Sequence, residues 1–387
     1  MNFRTLLFWT HLVIGVAAGL IILMMSLTGV VLTYESQINR WDQQEYRSQD
    51  QVTRAEPLTL DELLLHIAEH TPDATPSAIT IRHNHLEPAV VNVGGGISMF
   101  FDRYSGQPLG NSDRPTRRFL RSVMYLHRWF ALDGDNRNYG RALTGAANLG
   151  FLFLVISGVY LWWPRTWSLP QLRNTIWFRP GLKGRAKNFN WHNVIGLWMA
   201  LPLVIIVFSG SAIGYRWVSD SIYLALGENP PVRTTTITPS EADEANSNEQ
   251  RHYAPFQSMF DQAQEDAQIW NAITLRLPVD NAKSVLLLVD RGTGRQPSKQ
   301  YELAFDRDNG DLIERTGYPT YSRARKIRRW PRFAHTGEVY GLLGQTIAGI
   351  AASGAVVLVW TGLAMAWRRF RNSQLKQSRP SPGERLR

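Results

Sequence analysis

Four of the nine histidines lie at the ends of long apolar stretches, and their spacing repeats. His11 and His192 each begin the pattern His-x-Val-Ile-Gly. In each copy a Ser/Thr-Gly pair follows, and then a tyrosine 23 residues after the histidine. A histidine just inside an apolar helix is costly, so its recurrence in register indicates a function. Because neutral imidazole is a common metal ligand, we predict that these side chains bind a metal-containing cofactor.

His127 and His335 precede the other two apolar stretches, and each follows an arginine-rich segment. The repeat implies a pseudo-twofold axis along the membrane normal, which would bring His11 towards His192 and His127 towards His335. Two histidines that face each other across a helix bundle have the geometry for axial ligation of a b-type haem. The sequence therefore predicts two b-type haems, one held by each pair. No catalytic residue separate from the haems is expected.

Other interpretations of these residues stay open at this point. An interfacial histidine can hydrogen-bond a lipid headgroup or a backbone carbonyl. A zinc site is a poor alternative, because two imidazoles have neither a cysteine nor a nearby carboxylate to complete it. The chain has no cysteine, which excludes iron–sulfur clusters and covalently attached c-type haem. Arg128 and Arg332 are the best candidates to bind haem propionates, although arginines at these positions also suit lipid headgroups.

The elements that must position these residues are four apolar stretches long enough to cross about 30 Å of hydrocarbon. We predict an α-helical membrane protein with spans at 1–34, 141–163, 191–215 and 339–367. The connection 164–190 and the tail 368–387 are strongly basic, which predicts that both lie in the cytoplasm together with the N-terminus. The net charge of +10 then mostly reflects the orientation of the chain in the membrane, and no nucleic-acid partner is expected.

The two remaining segments, 35–140 and 216–338, are predicted to lie outside the cytoplasm. Each contains an amphipathic helix, alternating strand patterns and a turn of the form Asp-x-x-x-Gly, so a tandem duplication with two small α+β units is predicted. The predicted helices are 58–70 and 255–267. The predicted strands are 78–82, 89–93 and 98–101 in the first unit, and 272–277, 284–289 and 300–305 in the second. The segment 229–250 is predicted to be a flexible linker.

Several motifs resemble the PepSY-associated transmembrane-helix family over nearly the whole chain. They are His192-x-x-x-Gly-Leu-Trp198, the run Ser-Gly-Val-Tyr-Leu-Trp-Trp-Pro-Arg at 157–165, His-Thr-Gly-Glu at 335–338, and the turns at 102–106 and 306–310. Members of this family include diheme ferrisiderophore reductases of the bacterial inner membrane. The resemblance implies haem binding, PepSY-like periplasmic units, and reduction of a ferric siderophore on the periplasmic side.

Taken together, the sequence favours a diheme electron-transfer protein in the bacterial inner membrane that reduces a periplasmic ferric siderophore. The cytoplasmic segments are too short for a flavin or nicotinamide domain, so a separate electron donor is expected. One alternative is a non-enzymatic, membrane-anchored binding or accessory module for siderophore and iron uptake. Another is electron supply to a different periplasmic acceptor, such as copper or a quinone-linked partner.

Overall fold

The computed structural model describes residues 2–47, 56–72, 76–163, 173, 175–231, 254–277 and 283–377. Four of its helices are long and apolar enough to cross a membrane: α1 (Phe3–Leu32), α5 (Arg137–Trp162), α6 (Gly184–Gly214) and α10 (Gly341–Gln377). The predicted four-span membrane protein is thus confirmed at the level of candidate spans. The described residues leave out most of the predicted linker, from residue 232 onwards. They also leave out several basic residues of the predicted cytoplasmic segments, namely Arg165, Arg379, Arg385 and Arg387.

The long helices form the core of one compact unit, which we call the helical unit. Within it, α1 and α6 each pack against both α5 and α10, so α1 and α6 lie diagonally across a four-helix bundle. Asn148 of α5 is buried, and its amide donates to the Val207 carbonyl at 2.9 Å and the Ser211 hydroxyl at 2.8 Å on α6. In a membrane, such interhelical hydrogen bonds and close packing hold helices together, because lipid chains are as apolar as the helices themselves.

Two shorter helices run into the helical unit at one end of the bundle. These are α4 (Pro115–Trp129), which leads into α5, and α9 (Arg323–His335), which leads into α10. His127 lies in the last turn of α4, and His335 is the last residue of α9. Both histidines belong to the helical unit.

The second compact unit, which we call the sheet unit, is built on one antiparallel sheet of eight strands. Its strands are β1 (Ala78–Arg82), β2 (Ala89–Asn92), β3 (Ser98–Phe101), β4 (Pro108–Asn111), β5 (Ala272–Arg276), β6 (Ser284–Asp290), β7 (Gln300–Asp306) and β8 (Leu312–Gly317). The order across the sheet is β4-β3-β2-β1-β5-β6-β7-β8. The six strands that the alternating patterns predicted are present.

The two predicted α+β units are joined into this single sheet, which the sequence did not predict. Strands β1 and β5 pair antiparallel over five residues, from Ala78 opposite Arg276 to Arg82 opposite Ala272. In an isolated four-stranded half, β1 or β5 would be an unpaired edge strand. Their pairing with each other satisfies both of these edges. Each half has the same strand arrangement, whereas its origin by tandem duplication stays a prediction.

Helices α3 (Leu60–His70) and α8 (Phe256–Ala267), at the positions where the sequence predicted them, supply the apolar core of the sheet unit. Leu63, Ile67 and Met259 pack with the inward residues of the strands, including Ile79 and Leu287, all of them at most 2% exposed. The remaining described α-helices are α2 (Glu35–Asp42) and α7 (Arg216–Ala225).

Candidate functional site

All four membrane-edge histidines lie in the helical unit, and each contacts a Ser/Thr-Gly pair on another helix. Thr28-Gly29 and Ser209-Gly210 are the pairs of the sequence repeat, and Ser157-Gly158 and Thr361-Gly362 are two further pairs of the same type. The distances from imidazole Nδ1 to hydroxyl oxygen are 2.8 Å for His11 and Ser157, 2.8 Å for His127 and Thr28, 3.0 Å for His192 and Thr361, and 3.5 Å for His335 and Ser209. The same local arrangement therefore occurs four times.

The hydroxyl contacts determine which ring nitrogen carries the proton. A hydroxyl has one proton to donate. The hydroxyls of Ser157, Thr28 and Thr361 donate it to carbonyls of their own helices, at 2.6 Å to Phe153, 2.8 Å to Met24 and 2.8 Å to Val357. Each hydroxyl must therefore accept its second bond from an imidazole Nδ1–H. The partner histidines then carry no proton on Nε2, and its lone pair is free to coordinate a metal.

His335 reaches the same state by a different contact. Its Nδ1 lies 2.8 Å from the Ile206 carbonyl oxygen, which can only accept, so Nδ1 again carries the proton. The Ser209 hydroxyl, at 3.5 Å, is at the limit of a hydrogen bond. All four histidines are half-buried rather than fully enclosed, as a side chain that binds a ligand requires.

The glycine of each pair lies against the Cε1 edge of the imidazole. A Cβ atom at Gly29, Gly158, Gly362 or Gly210 would lie 3.7, 3.6, 3.4 or 3.1 Å from Cε1 of its histidine, in that order. Glycine thus lets the ring approach the backbone of the neighbouring helix, most closely at His335.

The histidines form two sites at opposite ends of the bundle. Helix α1 carries His11 near one end and Thr28, the partner of His127, 17 residues further on. At 1.5 Å per residue these positions are about 25 Å apart along the helix axis. Helix α6 repeats the interval, with His192 and then Ser209, the partner of His335. We call the two sites the His11–His192 site and the His127–His335 site.

The geometry of the His127–His335 site matches two-sided metal ligation. The two ring centroids are 6.2 Å apart. Imidazoles that bind one metal from opposite sides, at about 2 Å from each nitrogen, have ring centres roughly 6 Å apart. At the other site, His11 and His192 lie on the diagonal helices α1 and α6, at equivalent positions of the sequence repeat.

The surroundings keep His127 and His335 neutral and make their site attractive to anions. Burial, followed by the neighbouring His335, lowers the pKa of His127 to about 4. Burial likewise lowers the pKa of His335. Burial, and then the positive charges of Arg332, Arg137 and Arg141, lower the pKa of Arg128. These repulsions mark a cluster of cations at the end of the bundle where His127 and His335 lie.

Within the described part of the chain, no carboxylate pairs with this cluster of arginines. Arg128 lies 4.8 Å over the ring of Trp129, and Arg137 lies 3.5 Å over the same ring. None of Arg128, Arg332, Arg137 and Arg141 forms an ion pair with a described carboxylate. Anionic groups such as carboxylates would complete this cluster. Arg137 and Arg141 were missed from sequence, because only proximity to a histidine along the chain was considered.

Four of the other histidines belong to the sheet unit and have local partners. His70 Nδ1 lies 2.8 Å from the His66 carbonyl oxygen, and His66 pairs with Glu69 at 3.5 Å. His83 packs edge-on against Trp270. Among the described residues, no three His, Asp or Glu side chains are grouped to hold a metal ion. The described candidates for metal ligation are therefore the two histidine pairs.

Comparison with known families gives one match, which covers nearly the whole chain. Residues 8–369 match the family described as PepSY-associated TM region. The curated proteins include no match to this chain.

Proposed function

Because the chain belongs to the PepSY-associated transmembrane family, we propose that it is a diheme electron-transfer protein that reduces a ferric siderophore. We place it in the bacterial inner membrane, with both termini in the cytoplasm and the reduction on the periplasmic side. The observation that carries the proposal is the pair His127 and His335. Their ring centroids are 6.2 Å apart, and both Nδ1 atoms donate hydrogen bonds to other groups of the protein.

The residues present fit a b-type haem at each site. Ligation of such a haem by two histidines needs two neutral imidazoles with free Nε2 lone pairs, and the chain has no cysteine that could compete as a thiolate ligand. His11 and His192 would hold one haem, and His127 and His335 the other. When bound, a haem supplies a carrier that accepts and donates one electron at a time.

The chain's own residues orient and insulate these sites. The hydroxyls of Ser157, Thr28 and Thr361 and the Ile206 carbonyl fix the imidazole tautomers, and the neighbouring glycines leave room for the rings. The apolar helices exclude water from the interval between the sites. The interval of about 25 Å along α1 covers most of the hydrocarbon thickness of about 30 Å. The two histidine sites would thus be the two ends of an electron path across the membrane.

The arginine cluster provides attraction for anions on the proposed periplasmic side. Arg128 and Arg332 are proposed to bind haem propionates, since guanidinium groups pair with carboxylates. The remaining positive charge, on Arg137 and Arg141, would raise the local concentration of an anionic ferric chelate. Iron(III) is held firmly by hard oxygen ligands, whereas iron(II) is held less strongly, so reduction releases the metal. An electron donor on the cytoplasmic side completes the proposed path.

The decisive experiment is a spectrum of the full-length protein purified in detergent, oxidised and then reduced with dithionite, with haem quantified per chain. We expect about two b-type haems with low-spin bands. Addition of a ferric siderophore to the reduced protein should then re-oxidise both.

The alternative functions give different results in the same experiment. A protein that stays colourless after expression with adequate haem would overturn the proposal and favour a binding or accessory module. A haem-loaded protein that ferric siderophores fail to re-oxidise, but a copper or quinone acceptor does, would keep the electron path and reject the substrate.

A further inference from the structure

The four imidazoles differ in what accepts the Nδ1 proton. His335 donates to the Ile206 carbonyl at 2.8 Å, whereas His127 and His192 contact the hydroxyls of Thr28 at 2.8 Å and Thr361 at 3.0 Å. Within the described residues, His11 has one hydrogen-bond partner, the Ser157 hydroxyl at 2.8 Å. The orientation of His11 therefore depends on a single side chain of a different helix.

The Ser157 hydroxyl is itself firmly oriented. It donates its proton to the Phe153 carbonyl of its own helix at 2.6 Å, which directs a lone pair towards His11. Ser157 is 3% exposed, so water does not compete for the contact. Gly158 next to it allows the His11 ring to approach, with Cε1 3.6 Å from where a Cβ atom would lie.

We propose that Ser157 is a positioning residue that fixes the tautomer of His11 and tunes the reduction potential of the haem at the His11–His192 site. The inference rests on the proposed haem ligation. An acceptor at Nδ1 makes the imidazole more basic, and a more basic ligand stabilises the ferric state. The Ser157 hydroxyl therefore holds the potential of that haem low. Its removal leaves the Nδ1–H of His11 without an acceptor and raises the potential.

The chain provides a matched control for this effect. Ser209 occupies the corresponding place beside His335, but its hydroxyl is 3.5 Å from Nδ1 while the Ile206 carbonyl is at 2.8 Å. Ser209→Ala removes the same atoms as Ser157→Ala and leaves the acceptor of its histidine in place. Ser157→Thr retains the hydroxyl, and threonine already fills this role at Thr28 and Thr361.

The test is a potentiometric titration of the full-length protein and the three variants, followed by haem absorbance, after haem content and thermal unfolding have been compared. For Ser157→Ala we expect one of the two haem transitions to move upwards. The ratio of reduced to oxidised haem at the original midpoint should change at least threefold, which is about 30 mV for one electron. Ser157→Thr should restore the original value, and Ser209→Ala should match the unsubstituted protein.

The outcomes separate this inference from the proposed function. Loss of one haem in Ser157→Ala alone, restored in Ser157→Thr, also supports the positioning role. Two haems with unchanged potentials in Ser157→Ala would overturn the inference and leave the proposed function standing. An equal shift in Ser209→Ala would overturn it as well. Absence of haem from the unsubstituted protein would reject the proposed function itself.

Discussion

Replacement of Gly210 by alanine tests the close packing at the His127–His335 site. The new Cβ atom would lie 3.1 Å from His335 Cε1 and 3.3 Å from Asn148 Oδ1, closer than most Cβ contacts, so the imidazole must move by a few tenths of an ångström. On the other side of the same site, a Cβ atom at Gly29 would lie 3.7 Å from His127 Cε1, which is ordinary van der Waals contact. Gly29→Ala is therefore the matched control.

The expected magnitude follows from the cost of forcing a methyl group into a packed contact. Such overpacking costs about 1 to 3 kcal/mol, which corresponds to a fall of about 5- to 150-fold in haem affinity for Gly210→Ala. The haem affinity of Gly29→Ala should stay within about twofold of that of the unsubstituted protein. Both changes place alanine inside a helix, which favours the helix by about 1 kcal/mol, so neither variant should lose its fold.

The assay is haem transfer from each full-length protein to an excess of apomyoglobin, followed by absorbance. Gly210→Ala should lose one haem faster than the unsubstituted protein does, while the second haem leaves at the original rate. Equal release rates for Gly210→Ala and Gly29→Ala would refute the reasoning, because the two variants differ chiefly in the clearance around the imidazole.

Three further predictions concern the same site and its partner at the other end of the bundle. His11→Ala or His192→Ala should remove one haem and His127→Ala or His335→Ala the other; unchanged haem content in all four variants would end the assignment. Burial lowers the pKa of His127 from 6.5 to about 4, so the unfolded chain binds the proton more readily. Stability of the haem-free protein that is present above pH 6.5 should be lost as the pH falls towards 4, and His127→Gln should flatten that thermal-unfolding profile. Arg128→Gln should slow oxidation of the reduced protein by an anionic ferric chelate at low ionic strength, and the difference should disappear in high salt.

The sequence was sufficient to predict the long helices that carry His11 and His192, whereas the helices α4 and α9 that carry His127 and His335 were not predicted. A long apolar run and an alternating strand are local patterns, and the recurrence of His11 at His192 is a repeat that needs no structure to detect. The Ser/Thr-Gly pairs that follow His11 and His192 were also visible in the sequence. Their role beside the imidazoles was missed because Thr28 meets His127 across 99 positions in the chain. No periodicity within one helix specifies such a contact.

The limits of local sequence patterns also explain why the sheet was only partly predicted. Strands β4 and β8 were not predicted, because most of their residues are exposed and they lack an alternating apolar pattern. The pairing of β1 with β5 joins residues nearly 200 positions apart. It joins the edge strands of the two halves, and no local pattern specifies which edge strand pairs with which.

A last prediction tests whether the two halves of the sheet unit are locked together as one fold. Helices α3 and α8 cap each other: the Asp61 carboxylate accepts from the backbone N–H groups of Phe256 at 3.0 Å and Gln257 at 2.9 Å, while the Gln257 side-chain oxygen accepts from the Leu60 N–H at 2.7 Å. Asp61→Ala removes the acceptor for two N–H groups at the start of α8. The expected loss is about 1 to 2 kcal/mol.

For a unit of this size that loss lowers the unfolding temperature by about 2 to 8 °C. The measurement is thermal unfolding of the full-length protein together with hydrogen exchange of the strand amides. Glu265→Ala is the control, since this carboxylate is exposed on α8, the helix whose start Asp61 caps. Because β1 pairs with β5, protection should fall in strands of both halves at once in Asp61→Ala. A loss confined to β5–β8 would show that the halves unfold separately, and that their pairing is an attachment between two independent folds.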